Sequence, residues 1–181
     1  MKNLSAPTVR FFSTMALLLG LGGCMGVPEG TEPVLGFELE PYLGKWYEIA
    51  RLDHSFERGM SNVTAEYSLR DDGGVRVINR GFVEKDDKWK EAEGKAYFVD
   101  DTSIGKLKVS FFGPFYGAYN VIALDKEAYQ WSLVAGPDTE FLWILSRAPE
   151  LDKTIVDQLL AQAESYGVGV EELIFVDHSS Q

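Results

Sequence analysis

The sequence predicts an all-β fold, an eight-stranded antiparallel up-and-down β-barrel with one C-terminal α-helix packed outside. Runs of alternating apolar and polar residues recur along the chain, separated by short turn sequences, and one segment of helical periodicity follows them. The length of 181 residues, with 45% apolar and 25% charged residues, suits a single globular domain. Closure into a barrel is favoured because it leaves no sheet edge exposed.

The charge balance narrows the range of partners. The chain has 28 Asp and Glu against 17 Lys and Arg, a formal net charge of -11. A nucleic-acid binder normally presents a basic face, so no nucleic-acid partner is expected. Attachment to anionic lipid through basic residues alone is disfavoured for the same reason. Cys24 is the single cysteine, so an intramolecular disulfide is excluded.

The N-terminal segment has the pattern of a secretory signal peptide. Lys2 and Arg10 precede an apolar run over 11–21, and no acidic residue occurs before Glu29. Eleven helical residues rise about 16 Å, too short to cross a hydrocarbon core of about 30 Å. Residues 1–23 are therefore predicted to be a cleaved signal peptide.

The end of this segment indicates a lipid anchor. The sequence Leu21-Gly22-Gly23-Cys24 resembles a bacterial lipobox, which implies cleavage before Cys24 and attachment of diacylglycerol to its thiol. Met25, where an Asp would favour inner-membrane retention, implies a lipid-anchored protein of the bacterial outer membrane. The alternative is an ordinary signal peptide with an incidental cysteine. Residues 24–36, rich in Pro, Gly and acids, are predicted to be a lipidated tether that lifts the domain off the membrane.

The barrel domain is assigned to 37–181 and begins its strands near residue 44. The clearest alternation is in 62–70, where Val63, Ala65 and Tyr67 lie on one face, and the glycines of 71–74 suit a hairpin turn. Leu107, Val109 and Phe111 mark a further strand. The other predicted strands are 44–53, 75–83, 88–99, 118–125, 129–135 and 140–147.

One helix and one short strand complete the domain. Asp152 is a candidate N-cap, and Gly167 is a natural stop. Between them lies one apolar stripe, formed by Ile155, Val156, Leu159, Leu160 and Ala163. Residues 172–177 are predicted to be a last short strand.

Three motifs, in order, carry a resemblance to the lipocalin family. Gly44-x-Trp46 opens the first strand, Leu124-Asp125-Lys126 occupies the turn after the sixth, and Arg147 ends the eighth. The resemblance covers about 37–177 and is strongest to the bacterial outer-membrane lipocalins, with apolipoprotein D more distant. The second motif departs from the usual Thr-Asp-Tyr, since only its Asp is kept.

The resemblance implies structural roles for four motif residues. The tryptophan seals the closed end of a lipocalin barrel and the arginine packs over its ring. Arginine over indole makes a cation–π contact while its stem excludes water. Gly44, Trp46, Asp125 and Arg147 are therefore assigned to the scaffold.

Strand parity predicts the interior of the barrel. Small residues beside aromatic ones leave volume for a ligand, and an apolar pocket with a few polar groups is the usual small-molecule site. The alternative is a solid core with two satisfied amides. Glu48 shares parity with Trp46, Ala50 and Leu52, and would meet either a ligand headgroup or a structural partner such as an arginine. The predicted ligand-binding residues are Ala65, Tyr67, Val77, Asn79, Ala96, Phe98, Val109, Phe111, Asn120 and Ile122.

The predicted function is to bind, store or transport a small hydrophobic ligand, and the resemblance implies a fatty acid or lysophospholipid. A structural or partner-binding envelope lipoprotein is the alternative, and a lipid-modifying enzyme is the third class. An enzyme is not expected, because His54 and His178 show no metal-ligand spacing and no serine lies in a nucleophile elbow. No cofactor or metal is expected. The expected partners are the ligand and the membrane, the latter through acylated Cys24.

One aromatic cluster has two open interpretations. Phe115, Tyr116 and Tyr119 lie near a predicted hairpin. They form either an exposed patch, which touches lipid or joins a homodimer, or a set packed beneath a neighbouring loop.

Overall fold

A computed structural model describes residues 26–179, so the predicted signal peptide and Cys24 lie outside the described residues. All its strands belong to one antiparallel sheet. The nine strands are β1 Gly44–Arg51, β2 Met60–Leu69, β3 Val75–Val83, β4 Lys88–Phe98, β5 Lys106–Phe112, β6 Phe115–Leu124, β7 Trp131–Ala135, β8 Leu142–Ser146 and β9 Ile174–Phe175.

The sheet closes on itself through its first two strands. Neighbours follow the order β2 to β8, then β1, and β2 pairs again with β1, where Trp46 lies opposite Ala65. The short β9 adds to β1 from outside, with Phe175 opposite Ala50. The predicted eight-stranded antiparallel barrel is confirmed, with β9 as an extra strand.

The two ends of the barrel differ in their connections. The segments 71–74, 99–105 and 125–130, together with the short helix α1 (Leu39–Tyr42), lie at the end that begins β1, here called the closed end. The segments 52–59, 84–87, 113–114 and 136–141 lie at the other end, here called the mouth. The first six residues of β4 are exposed on both faces. The interior is therefore accessible at the mouth.

The predicted C-terminal helix is present outside the barrel. Helix α2 spans Lys153–Ser165, and the Asp152 carboxylate accepts a hydrogen bond from the backbone N–H of Thr154 at 2.8 Å. Gly167 follows the helix at φ 81°, which suits a glycine because it has no Cβ. The buried side chains of Leu159 and Ala163 pack against the outer face of the barrel.

The segment predicted to be a tether is fastened to the barrel wall over its described part. The Asn120 side chain donates to the carbonyl of Gly26 at 3.1 Å. Farther along, the N–H of Val34 donates to the carbonyl of Val121 at 2.8 Å. Residues 26–36 are therefore held against the barrel by hydrogen bonds and do not lift the domain as a free spacer.

Candidate functional site

Most of the residues predicted to line the interior meet there. Tyr67, Val77 and Ala96 are buried members of one apolar cluster inside the barrel. Four more predicted residues join it while staying partly exposed: Ala65, Phe98, Val109 and Phe111. Since these four face inward, their exposed surface indicates space that solvent reaches within the barrel.

Asn79 adds a polar atom to this lining. It lies opposite Ala65 on β2 and Ala92 on β4, so it shares the inward face of β3 with Val77. Its Oδ1 is buried and has no hydrogen-bond partner among residues 26–179. A buried acceptor without a partner is costly, so this atom is available to a donor on a ligand.

Two predicted lining residues lie outside the barrel, and this part of the interior prediction is wrong. Asn120 and Ile122 share a face of β6 that points outward, since Asn120 lies opposite Lys106 and Ala135. Asn120 bonds the carbonyls of Gly26 and Gly136. Ile122 packs in the cluster beneath α2. Helix α2 and the N-terminal segment cover this outer face of β6. Its residues are therefore as buried as those that face inward, and the alternation along the strand does not distinguish the two faces.

Three tyrosines form a hydrogen-bonded cluster at the floor of the interior. Tyr119 Oη lies 2.8 Å from that of Tyr42 and 2.9 Å from that of Tyr67. Tyr42 Oη also lies 3.2 Å from Ser132 Oγ. Burial raises the pKa of Tyr42 to about 12 and raises the pKa of Tyr119 well above its usual value. All three hydroxyls stay neutral near neutral pH and close the bottom of the cavity with satisfied polar groups. Tyr42 and Tyr119 were not among the predicted lining residues, and Tyr119 was assigned instead to the aromatic cluster near the hairpin.

A charged cluster lies higher in the barrel. The buried Arg51 donates from Nη1 to Glu48 Oε1 at 2.8 Å and from Nη2 to the carbonyl of Glu57 at 2.8 Å. Trp143 Nε1 donates to Glu57 Oε2 at 3.1 Å. Glu48, Arg51 and Glu57 are all less than a tenth exposed. Glu48 thus faces the interior and has an arginine partner, which is one of the two arrangements expected for it.

The cluster holds two carboxyls for one guanidinium. Burial raises the pKa of Glu48, and the nearby Glu57 carboxylate raises it further, against the opposing effect of Arg51. Burial also raises the pKa of Glu57. The one guanidinium is thus already paired with Glu48, while the second carboxyl, Glu57, is held by the indole N–H of Trp143.

A bulge explains why Arg51 escaped the sequence prediction. The register of β1 against β8 shifts between Glu48 and Ala50, so Arg51 points inward three residues after Glu48. Ala50 and Leu52 lie instead in the outer cluster beneath α2. The prediction that Ala50 and Leu52 share the inward face of Trp46 is therefore wrong, because the alternation is interrupted after Glu48.

The closed end is built from the lipocalin-like motif residues. Trp46 is fully buried and its Nε1 donates to the carbonyl of Tyr42 at 2.8 Å. The guanidinium carbon of Arg147 lies 3.9 Å from the centre of the Trp46 ring. Gly44 has φ 89° and lies beside that guanidinium. Arg147 also donates to the backbone carbonyls of Pro41, Leu43, Lys45 and Tyr129.

Asp125 shapes the turn between β6 and β7. Its carboxylate accepts hydrogen bonds from the backbone N–H groups of Glu127, Ala128 and Gln130, at 3.2–3.3 Å. These contacts hold the turn at the closed end, away from the mouth.

The two histidines occupy separate environments. His54 stacks between Phe56 and Phe141 beside the mouth, and burial lowers its pKa. His178 Nε2 lies 2.8 Å from the carbonyl of Glu48 on the outside of β1. Among residues 26–179 no group of three His, Cys, Asp or Glu side chains is placed to hold a metal ion. Over the same range, no helix is long and apolar enough to span a membrane.

The aromatic cluster near the β5–β6 hairpin divides between the two expected arrangements. Phe115 is 78% exposed at the hairpin tip. Tyr116 is half-buried beside Tyr97, with the Lys108 ammonium over its ring. Tyr119 points inward to the tyrosine cluster. Of these three residues, Phe115 alone is an exposed surface residue of the kind that touches lipid or a partner.

Comparison with known families gives a match over most of the chain. Residues 37–178 match a lipocalin-like domain. The chain is 57% identical to the outer membrane lipoprotein Blc of Vibrio cholerae, covering 86% of this chain and 91% of that protein. It is 54% identical to outer membrane lipoprotein Blc of Escherichia coli, covering 82% and 84%. Bovine apolipoprotein D is 35% identical, covering 90% and 94%.

Solved structures show the same architecture. Insecticyanin from the tobacco hornworm superimposes with a TM-score of 0.69 at 26% identity, covering 86% of this chain and 88% of that one. A cockroach allergen, Per a 4, superimposes with a TM-score of 0.65 at 21% identity, covering 84% and 95%. The second likeness bears on the fold alone.

Proposed function

The chain belongs to the lipocalin family, and from that membership we propose that its barrel holds the acyl chain of a membrane lipid at the bacterial outer membrane. Relatives that are 54–57% identical over most of the chain are outer membrane lipoproteins, so this location and lipoprotein character are shared. Binding of a small hydrophobic ligand follows from the family. The ligand class, lipid with one long acyl chain, is the proposal.

The proposal includes the means of attachment. Residues 1–23 act as a lipoprotein signal peptide that is cleaved before Cys24, and the Cys24 thiol carries the diacylglycerol anchor. Each buried methylene contributes about 0.8 kcal/mol, so two or three acyl chains hold the protein stably. The net charge of -11 then poses no obstacle to membrane residence.

One observation carries the proposed ligand class. Apolar side chains that face the barrel interior remain partly exposed, although the interior of a small folded protein is normally close-packed. Phe98, level with the tyrosine floor, and Val109 and Phe111, nearer the mouth, form such an apolar wall. A narrow apolar space with few polar groups suits an unbranched hydrocarbon chain.

The charged cluster supports a zwitterionic lysophospholipid over a free fatty acid. The one guanidinium of the charged cluster is already paired with Glu48, so an anionic carboxylate entering there competes with that pair for its counter-charge. A zwitterionic head brings an ammonium as well as a phosphate. The glycerol hydroxyl of a lysophospholipid also supplies a donor, which the carboxylate of a fatty acid lacks and Asn79 Oδ1 requires.

The proposed role is binding without catalysis. The interior carboxyls of Glu48 and Glu57 are engaged with Arg51 and Trp143. His54 stacks beside the mouth, and the three tyrosine hydroxyls bond one another at the floor. These groups hold one another in place and orient a ligand, with no activated nucleophile among them.

Native mass spectrometry of the chain purified from membranes tests the proposal. We expect a mass increment equal to one single-chain lipid, identified after organic extraction as a lysophospholipid. Ala65→Phe places a ring in the interior and should abolish the adduct, because Ala65 lies opposite Trp46 within the barrel. Ala161→Phe, the same change on the exposed face of α2, should leave the adduct unchanged. Val109→Phe serves as a second interior variant if circular dichroism shows Ala65→Phe unfolded.

The outcomes separate the candidate functions. Repeated absence of any lipid from the wild-type chain would favour a structural or partner-binding lipoprotein. Recovery of a fatty acid in place of a lysophospholipid would contradict the proposed headgroup preference, although it would still support an acyl-chain site inside the barrel.

A further inference from the structure

We propose that the mouth of the barrel faces the outer-membrane bilayer, with the tip of the β5–β6 hairpin immersed beside the lipid anchor. The ligand then passes between bilayer and barrel without crossing water. This inference rests on the proposed acylation of Cys24, and it adds an orientation and a docking surface that acylation alone does not specify.

The hairpin tip is the most exposed apolar feature of the described residues. Phe112 is 81% exposed and Phe115 is 78% exposed. The two lie opposite each other in register, so both rings project from one tip. Large aromatic side chains displayed in this way mark a contact with an apolar or interfacial partner. The tip projects from the mouth, on the rim through which a ligand enters.

The chain end identifies which partner covers this tip. Gly26, where the described residues begin, accepts from Asn120 on β6, and Asn120 also donates to Gly136 at 2.9 Å. A Cβ on Gly26 would lie 3.2 Å from the carbonyl oxygen of Pro137, in the mouth segment 136–141. The N-terminal chain therefore leaves the barrel at the mouth, on the β6–β7 side.

Covalent geometry brings the anchor to the same place. Cys24 precedes Gly26 by two residues, and two peptide units span at most about 7 Å. The strand β6 that holds Gly26 through Asn120 begins at Phe115, five residues nearer the tip, so the anchor and the hairpin tip lie on the same side of the barrel. Acyl chains attached at Cys24 thus draw this rim toward the bilayer.

The following segment prevents the domain from swinging away. Val34 bonds Val121, and the N–H of Phe37 donates to the carbonyl of Ser103 at 2.8 Å, so the chain is fastened along the wall down to the closed end. The free part of the tether is therefore too short to place the closed end against the membrane. The acidic net charge gives no electrostatic attraction to lipid, so the docking depends on the anchor and the two rings.

A depth measurement on the full lipidated chain tests the orientation. If Cys24 is acylated, a cysteine introduced elsewhere is the only free thiol, and Phe115→Cys can carry a polarity-sensitive fluorophore. The matched control is Leu69→Cys, a residue 63% exposed at the closed end of β2. Each labelled chain is reconstituted in phosphatidylcholine–phosphatidylglycerol vesicles that contain nitroxide-labelled lipids. We expect blue-shifted emission and at least threefold stronger nitroxide quenching at position 115 than at position 69.

Each outcome decides a separate point. Equal weak quenching at both positions, or stronger quenching at position 69, would overturn the proposed orientation. Quenching at position 115 that depends on protein density and not on nitroxide lipid would place a second copy of the chain on the tip, and would also overturn it. The intact mass reports acylation independently, so an unmodified Cys24 refutes the anchor, whereas an acylated chain without quenching refutes the orientation alone.

Discussion

The two ends of the barrel differ in how completely their buried polar groups are hydrogen-bonded. At the closed end, Trp46 Nε1 has its acceptor and Arg147 reaches four backbone carbonyls beneath the indole ring. Toward the mouth, Arg51 bonds the Glu48 carboxyl and the backbone carbonyl of Glu57, and its Nε has no partner among residues 26–179. The mouth also displays Phe112 and Phe115 to solvent.

This difference separates support of the fold from contact with a ligand. Satisfied polar groups in a packed environment add to the free energy of unfolding, whereas groups short of partners lower it. A ligand can supply what the upper interior lacks. Variants at the closed end should therefore change stability, and variants at the mouth should change lipid binding and transfer.

Trp46→Ala is expected to have the largest effect on stability. Removing a fully buried indole costs about 3–5 kcal/mol in the free energy of unfolding. Urea denaturation measures this loss. The control Trp89→Ala removes an indole that is 39% exposed on the outer surface, and should cost less than about 1 kcal/mol. Similar losses in the free energy of unfolding from both variants would show that the closed end does not stabilise the fold more than the outer surface does.

Arg147→Ala should destabilise the chain by about 2 kcal/mol, because charged hydrogen bonds and a partly desolvated cation–π contact are lost together. Arg80→Ala is a close control, since the Arg80 guanidinium lies 4.2 Å from the exposed Trp89 ring. That variant should cost less than about 1 kcal/mol. Thermal melting and lysophospholipid titration measure the two properties. A loss of affinity without a loss of stability in Arg147→Ala would overturn its assignment to the scaffold.

The pH dependence of stability should distinguish the interior carboxyls. Burial holds the folded-state pKa of Glu48 above its unfolded value of 4.5, so the folded chain retains that proton more tightly. Stability therefore falls as pH rises from the unfolded value toward the raised folded value. Glu48→Gln should flatten the fall in urea midpoint that begins above about pH 5, leaving the smaller part that belongs to Glu57.

An exposed carboxyl provides the opposite sign. The Arg76 guanidinium lowers the pKa of Glu93, so its contribution is present above the unfolded value and is lost only as pH falls through the lowered one. Glu93→Gln should leave the slope above about pH 5 unchanged. A wild-type stability that rises with pH over this range would contradict the raised pKa values of Glu48 and Glu57. A fall in stability that persists when both residues are substituted would contradict them as well.

The double variant Phe112→Ser, Phe115→Ser should have the smallest effect on stability, within about 0.5 kcal/mol, because both rings are exposed. It should slow the transfer of fluorescent lysophosphatidylcholine from vesicles to the reconstituted chain severalfold. Affinity for the same lipid supplied in solution should stay unchanged. Leu69→Ser, at the closed end, should alter neither property. Unchanged transfer in the double variant would show that the hairpin tip is not part of the lipid route.

The architecture was predictable because its signals are local. Alternation in 62–70, the glycines of 71–74 and the cap at Asp152 each depend on neighbours in sequence. Strand β3 spans Val75–Val83, as its pattern predicts, whereas β7 and β8 are shorter than expected because their ends turn into 125–130 and 136–141.

The site was predictable only in part, because tertiary contacts override parity. A bulge in β1 turns Arg51 inward after Glu48, and no local signal marks that bulge. The outer face of β6 is covered, so Asn120 and Ile122 look like interior residues. The attachment of 26–36 depends on side chains nearly a hundred residues away, which Pro and Gly content cannot reveal.

Quenching of interior tryptophan fluorescence by lysophosphatidylcholine with a brominated acyl chain tests directly whether a lipid chain enters the barrel. Trp143 lies between the charged cluster and the apolar wall. We expect saturable one-to-one quenching that Trp143→Phe reduces, that Ala65→Phe abolishes and that Ala161→Phe leaves unchanged. Quenching that never saturates, or that is equally strong in the folded Ala65→Phe chain, would contradict a ligand site inside the barrel.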